Sequence, residues 1–396
     1  PLLSRNNMAA SLDQLNSYLW NEKWWLGDDA KWEDFIPKDP NTYYPRVRDM
    51  NWSIPVGMAL LLVRYAYESI LIVPLANALG INERKQRQLA PNSSLEAAFR
   101  KNKGRVSHSE IEKLAKQNDM TERQIERWIF RKRIQSTPSA MYKFKECSWH
   151  LLFYTCTFCL GMWALWDKSW LVVTVNCWIN WPTQHIDFDI YLFYLVELAF
   201  YWSLLFAMLF QKDYQKKDKN EMILHHLVTI LLIYFSWACN FVRCGTLVLV
   251  VHDVADPWMA IAKMAKYSKR QTVCEVFFGI FIVVWIVSRC FVYPLWVLNA
   301  SAVEIHDYVT TFPAYWFFNG LLFVLQILHL MWTYLILRIA FQKIQTGSLQ
   351  KDERSESEEE VDETSSEEAE TPVAKQAVAN GDVKDKPRSR PTQAAK

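Results

Sequence analysis

Apolar positions in this chain do not alternate; they run. Stretches of roughly twenty residues, each long enough to cross about 30 Å of hydrocarbon as a helix, are separated by short charged connectors. Seven such runs, at 54–79, 148–166, 189–210, 222–241, 245–267, 272–298 and 315–341, are predicted to be spanning helices. A further apolar stretch at 170–186 is interrupted by Trp181, Pro182 and Gln184, and it reads as a re-entrant or interfacial segment rather than an eighth span. The expected fold class is therefore an all-α polytopic membrane protein.

Charge gives the runs a direction. The connector at 82–146 carries Arg84, Lys85, Arg87, Arg100, Lys101, Lys103, Arg105, Arg131, Lys132 and Arg133. By the positive-inside rule it is expected to be cytosolic, with residues 1–51 lumenal. Counting crossings then puts Lys212, Lys216, Lys217, Lys219, Lys263, Lys266, Lys269 and Arg270 on the cytosolic side as well. The connector at 299–311 has Glu304 and Asp307 and neither Lys nor Arg, as a lumenal turn should. The chain divides into a lumenal segment (1–51), a first span (52–80), a cytosolic domain (81–146), a membrane domain (147–345) and an acidic tail (346–396). Arg64 and Glu68, four residues apart in the first span, can neutralise each other in lipid. The tail lacks apolar periodicity and is expected to be disordered. In it Ser355, Ser357 and Ser365 each precede a Glu by three residues, the pattern of an acid-directed kinase substrate.

Composition narrows the class further. Over 396 residues the chain is 51% hydrophobic and 15% aromatic, with 19 Trp and 10 Gly, and its net charge is +2. A purely soluble enzyme, a secreted disulfide scaffold and a basic nucleic-acid binder are all disfavoured by that balance. Seven of the eight cysteines lie in or beside apolar runs, where cysteine acts as a small hydrophobe. Cys156 and Cys159 form a CxxC with no second pair at zinc spacing.

Ionisable residues in hydrocarbon cost about 2.5–3.5 kcal/mol each on insertion scales, so a cluster of them is a site hypothesis. The fourth run begins with His225 and His226 and has Thr229 four residues after His225; the fifth contains His252, Asp253 and Asp256. Helical spacing puts His252, Asp253 and Asp256 on one surface of the fifth span. At ~1.5 Å per residue, His225 lies roughly 24 Å, Asp256 roughly 20 Å and Asp253 roughly 15 Å from the turn joining the two spans, so Asp256 is expected to pair with His225. A carboxylate-oriented imidazole in a partly dry site serves as general base or as nucleophile, and either suits acyl transfer. Pro257 is expected to kink the fifth span beside the carboxylates. His108, His150, His185, His306 and His329 are scattered singly and read as structural, so no metal is expected.

Residues 211–267, with His225-His226, the Arg243-Cys-Gly245-Thr246-Leu247 stretch, His252-Asp253-x-x-Asp256 and Ala262-Lys263-Met264, closely resemble the signature of ceramide synthases. The likeness extends to residues 20–26, 201–206, 294–298 and 352–358. It implies a TLC-type barrel of six helices, spans two to seven, around a lipid-accessible cavity in the endoplasmic reticulum membrane. It also implies transfer of a fatty acyl group from acyl-CoA, as co-substrate, to the amine of a sphingoid base, with no bound cofactor. His225, His226, Asp253 and Asp256 match the family's essential residues. His252 and Thr229 are supporting candidates, and Lys217, Arg243 and Lys263 are candidate substrate contacts. Membrane lipids and a homo- or heterodimer with other ceramide synthases are the expected partners. The family ties acyl-length choice to the connector at 299–308. Where it commonly has Glu four residues after the second aspartate, this chain has Ala260.

Residues 109–135 resemble the second and third helices of a homeodomain, with Trp128 and Ile129 on the core face of the third. Its adenine-reading Asn corresponds to Arg131, so specific DNA binding is not expected. Asn51 and Asn299 stand in formal glycosylation sequons next to spans, and Asn92 in one on the cytosolic side. The rival reading is a non-catalytic TLC-fold protein that binds or moves lipid.

Overall fold

The computed structural model describes residue 14 and residues 17–346 except 29, 84–88, 90, 103–105, 137 and 211–218. The tail serines and Lys217 lie outside the described residues. Among the described residues every regular element is helical, the arrangement that satisfies backbone N–H and C=O groups within a single segment in hydrocarbon. In chain order these are α1 (Val47–Ala78), α2 (Ser93–Lys101), α3 (His108–Asn118), α4 (Glu122–Ser136), α5 (Ala140–Leu165) and α6 (Phe188–Phe210). Then come α7 (Lys219–Ala238), α8 (Val242–Asp253), α9 (Asp256–Tyr267), α10 (Gln271–Trp285, continuing more widely wound as Ile286–Leu298) and α11 (Pro313–Thr346).

Among the described residues six stretches are long and apolar enough to cross a membrane: α1, α6, α7, α8 with α9, α10 and α11. Helix α5 has the length, 26 residues, but is not among the six. The stretch at 170–186 contains only short turns, among them Thr174–Cys177, and no spanning helix.

Neighbour packing closes a ring. Helix α5 lies against α6, α6 against α7, α7 against α11, α11 against α10, α10 against α8 and α9, and these last against α5. Helix α1 stays outside, packed on α6, where Gly57 lets it approach so closely that an added Cβ would come within 2.7 Å of the Ala199 carbonyl oxygen. Its outer face leaves Leu62, Tyr65 and Ile70 exposed, as a lipid-facing helix should. Arg64 Nε meets Glu68 Oε1 at 2.6 Å, and Lys145 of α5 adds a second cation to Glu68 at 3.5 Å.

One end of the ring carries α2, α3 and α4, which bury Leu95, Ile111, Leu114, Ile125, Trp128 and Ile129 among themselves. Trp128 and Ile129 thus sit in a core, as their pattern indicated. The Asn92 side chain caps α2 by accepting from the Leu95 backbone N–H.

The other end is closed by a cap built from residues 20–50, 167–187 and 299–312. The Trp-rich N-terminal segment is part of the main core: Trp25 stacks on Phe235 of α7 at 4.6 Å, and Leu26 and Met50 are buried. The Ile186 N–H donates to the Tyr43 carbonyl (3.0 Å), the Tyr43 N–H to His185 Nδ1 (2.9 Å), and the Trp237 indole to the Arg46 carbonyl (3.1 Å). Lys168 gathers Asp187 (2.9 Å), Asp167 (3.1 Å) and Asp189 (3.8 Å).

Candidate active site

Helices α7 and α8 are antiparallel neighbours joined by a turn of three residues, which brings the histidines of both spans into the ring. The His225 and His252 rings lie 6.3 Å apart and nearly parallel at 23°. His226 is buried beside Tyr201 of α6, at 5.7 Å between ring centres, and His225 packs edge-on against Trp332 of α11 at 5.5 Å. Among the described residues His225 Nδ1 is buried without a hydrogen-bond partner. Thr229 donates its hydroxyl to the His225 carbonyl at 2.9 Å, so its polar group is committed to the helix.

The fifth span runs on as one stretch, Val242–Tyr267, but its regular helix is interrupted between its aspartates. Helix α8 ends at Asp253, residues 254–255 form a turn, and α9 restarts at Asp256 with Pro257 in its first turn. Proline has no N–H to give and its ring clashes with the carbonyl one turn back, whereas a first turn accepts it without loss. The expectation that His252, Asp253 and Asp256 share one surface is thereby corrected: each points to a different neighbour.

His252 points into the ring. Its Nδ1–H donates to the Val248 carbonyl at 2.6 Å, so in the neutral ring Nε2 is the acceptor; it takes the Nε2–H of His329, 3.0 Å away on α11. His329, read from the sequence as structural, thus joins the cluster. Asp253 is buried, and its carboxyl faces Glu197 of α6, itself fully buried, near Thr157 of α5. Among the described residues both Glu197 carboxyl oxygens and Asp253 Oδ2 are buried without a hydrogen-bond partner.

Asp256 turns away to Arg289 of α10, whose Nη2 lies 3.6 Å from Asp256 Oδ2. The expected His225–Asp256 pair is not formed. Arg289 also donates to the carbonyls of Val251 and His252, two of the groups left open where α8 stops. A cation at a helix C-terminus is favoured by the backbone dipoles. One buried guanidinium therefore caps α8 and tethers α9, fixing the break that aims Asp253 and Asp256 apart.

Below this cluster an elongated apolar cavity runs along the ring interior. Tyr201, Thr229 and His252 stand at one end, and Trp178 and Ile305 of the cap, with Tyr315 of α11, at the other. His225 lies one helical turn beyond Thr229. Among the described residues there is no group of three His, Cys, Asp or Glu side chains arranged to hold a metal ion.

Of the three expected basic contacts Lys217 lies outside the described residues, and the other two do not converge. Lys263 is half-buried on α9, two turns beyond Asp256. Arg243 lies at the cap end instead: it donates to the Asn176 carbonyl at 2.8 Å and its guanidinium covers the Trp170 ring at 4.7 Å. Its charge braces the cap. Ala260, in the position where a Glu was looked for, is buried in α9. Glu197 and Arg289 were missed, although they gave the same signal as the histidines, an ionisable residue inside an apolar run.

Comparison with known proteins places residues 143–338 in the TLC domain family. Ceramide synthase 5 of Homo sapiens is 38% identical over 345 residues, which cover 87% of this chain and 88% of that protein. Ceramide synthase 5 of Mus musculus is 36% identical over 348 residues, 88% of this chain and 84% of that one. Ceramide synthase 3 of Homo sapiens is 37% identical over 342 residues, 86% and 88% respectively.

Proposed function

The chain belongs to the ceramide synthase family, and on that premise we propose that it transfers a fatty acyl group from acyl-CoA to the amine of a sphingoid base in the endoplasmic reticulum membrane. The observation that carries the reading is the placement of His225, with a buried and unpartnered Nδ1, one helical turn beyond the Thr229 end of an apolar cavity, the end we read as the mouth of the acyl site.

In the reaction the amine nitrogen forms a bond to the thioester carbonyl carbon, the C–S bond breaks, and the amine proton leaves for a base and ends on the CoA sulfur. An ammonium has no lone pair to attack with, so a base is required. His225 fills that role in direct attack; if it first takes the acyl group itself, the same nitrogen is the nucleophile. His226 packs beside it. Asp253, with Glu197 behind it, supplies negative charge for an imidazolium formed in the same ring, whereas the charge of Asp256 is balanced by Arg289. His252 lines the cavity just below. By the charge distribution the mouth faces the cytosol, where Lys219 and Lys263 favour CoA phosphates, and the cap faces the lumen.

Purified protein incubated with labelled acyl-CoA and sphinganine is expected to form N-acyl product, and His225→Ala to abolish it while the helical fold survives. A His225→Ala variant as active as the parent chain, or a parent chain that forms no product with any acyl-CoA, would favour the non-catalytic lipid-binding alternative.

A further inference from the structure

The cavity has a hard end. Its cap-side wall includes Trp178, which comes from the segment at 170–186 and not from a ring helix. Trp178 is 3% exposed, its indole N–H donates to the Ala300 carbonyl at 2.8 Å, and its ring meets Phe241 edge-on at 5.4 Å and 83°. The backbone around it is laced in place. The Gln184 amide donates to the carbonyls of Cys177 (2.8 Å) and Ile179 (2.9 Å), and the Asn240 amide donates to those of Pro182 (2.7 Å) and Gln184 (2.9 Å). An indole fixed by its own hydrogen bond, by a ring contact and by a braced loop cannot swing aside as a lone aliphatic side chain could.

The depth above it follows from helix rise. Trp332, beside His225, and Tyr315, beside the closed end, are separated along α11 by a helical path of about 25 Å, and His225 lies about 20 Å from the end of α7. Bonds of ~1.5 Å at tetrahedral angles advance about 1.25 Å per carbon, so the distance from the chemistry to the wall equals the extended length of roughly 16–20 carbons.

Resting on the acyl-transfer reading above, we propose that Trp178 is the floor of the acyl site and sets its upper length limit, roughly 16–20 carbons. The connector at 299–308 contributes by holding this floor through the Ala300 carbonyl and by setting Ile305 beside it. Trp178 is a specificity-determining residue that touches the far end of the chain and takes no part in proton or acyl movement.

The test is a competition. The full chain receives sphinganine and an equimolar panel of acyl-CoAs from about 12 to about 26 carbons, and product lengths are read by mass spectrometry; a methylene forced against a closed wall costs about tenfold or more. Parent product is expected to fall at least about tenfold beyond about 20 carbons. Trp178→Ala is expected to raise the ratio of products above that length to those below it by about tenfold or more, and Trp178→Phe to shift the limit by about two carbons. A parent distribution centred well above 20 carbons, or active variants with the parent distribution, overturns the proposal. Should the alanine variant fail to fold, the phenylalanine variant decides alone: a shifted limit supports the floor and an unshifted one overturns it. A parent chain that acylates nothing at any length refutes the acyl-transfer reading itself, a result separate from an unshifted limit.

Discussion

Replacing Arg289 by methionine keeps most of the side-chain volume and removes the fork that joins α8 to α9. Three acceptors lose their donor together: the carbonyls of Val251 and His252, and the Asp256 carboxylate. An orphaned buried acceptor costs about 1–3 kcal/mol, and breaking a buried ion pair about 3–5 kcal/mol. These losses share one guanidinium and do not add, and Asp256 keeps 31% of its side-chain surface exposed, so about 3–5 kcal/mol in all is expected. The larger effect falls on turnover, because the break at 254–255 is what aims the two aspartates. A displacement of about 1 Å costs on the order of 100-fold. Arg289→Lys restores the charge but offers one ammonium where a planar fork served three acceptors, so it should recover part of the stability and little of the rate. Product formation and the thermal midpoint followed by tryptophan fluorescence, in the same detergent, report both quantities. An Arg289→Met variant with parental turnover and parental midpoint would refute the argument that this side chain holds the site together.

Two other substitutions probe the frame. In Gly245→Ala the new Cβ would fall 1.7 Å from Tyr194 Oη, whose hydroxyl is buried and donates to the Val242 carbonyl; a loss of about 1–3 kcal/mol is expected, partly relieved in the double variant with Tyr194→Phe, as a thermal double-mutant cycle would show. Lys168→Met should cost about 0.2–1 kcal/mol, because Asp167 and Asp187 are well solvated. Burial pulls the Lys168 ammonium down, but its hydrogen bonds to Asp187 and Asp167 outweigh this and hold it above its ordinary range. Its contribution is therefore complete below the unfolded lysine value of about 10.4 and fades as pH rises through the higher folded value. The parent midpoint should drop in that alkaline window more than that of the variant, and equal drops would contradict the assignment.

Much of the membrane domain was legible because the hydrocarbon rule is one-dimensional: length and apolarity mark a helix whatever it packs against. The histidine and aspartate positions were visible for the same reason, since charge in such a run stands out. Partners were not. Levels counted along two ideal helices matched Asp256 to His225, but such a count gives height and not the partner, and Asp256 meets Arg289 of another span instead. His329 was invisible as a site residue because its neighbour His252 lies 77 residues away and only ring closure joins them. The role of residues 20–50 also escaped periodicity, since Trp25 and Leu26 are buried by a cap with no repeating pattern.

That cap has a consequence for synthesis. Trp25 leaves the ribosome early, yet Phe317, which its ring meets edge-on at 5.8 Å, is made almost 300 residues later. At ordinary elongation rates the stretch holding Trp20, Trp25 and Trp32 waits roughly 15–60 s for its docking surface. Throughout that interval its indoles are sticky and unsheltered, so this segment is where a chaperone has most to do, and where a tag or a deletion would act as a folding defect.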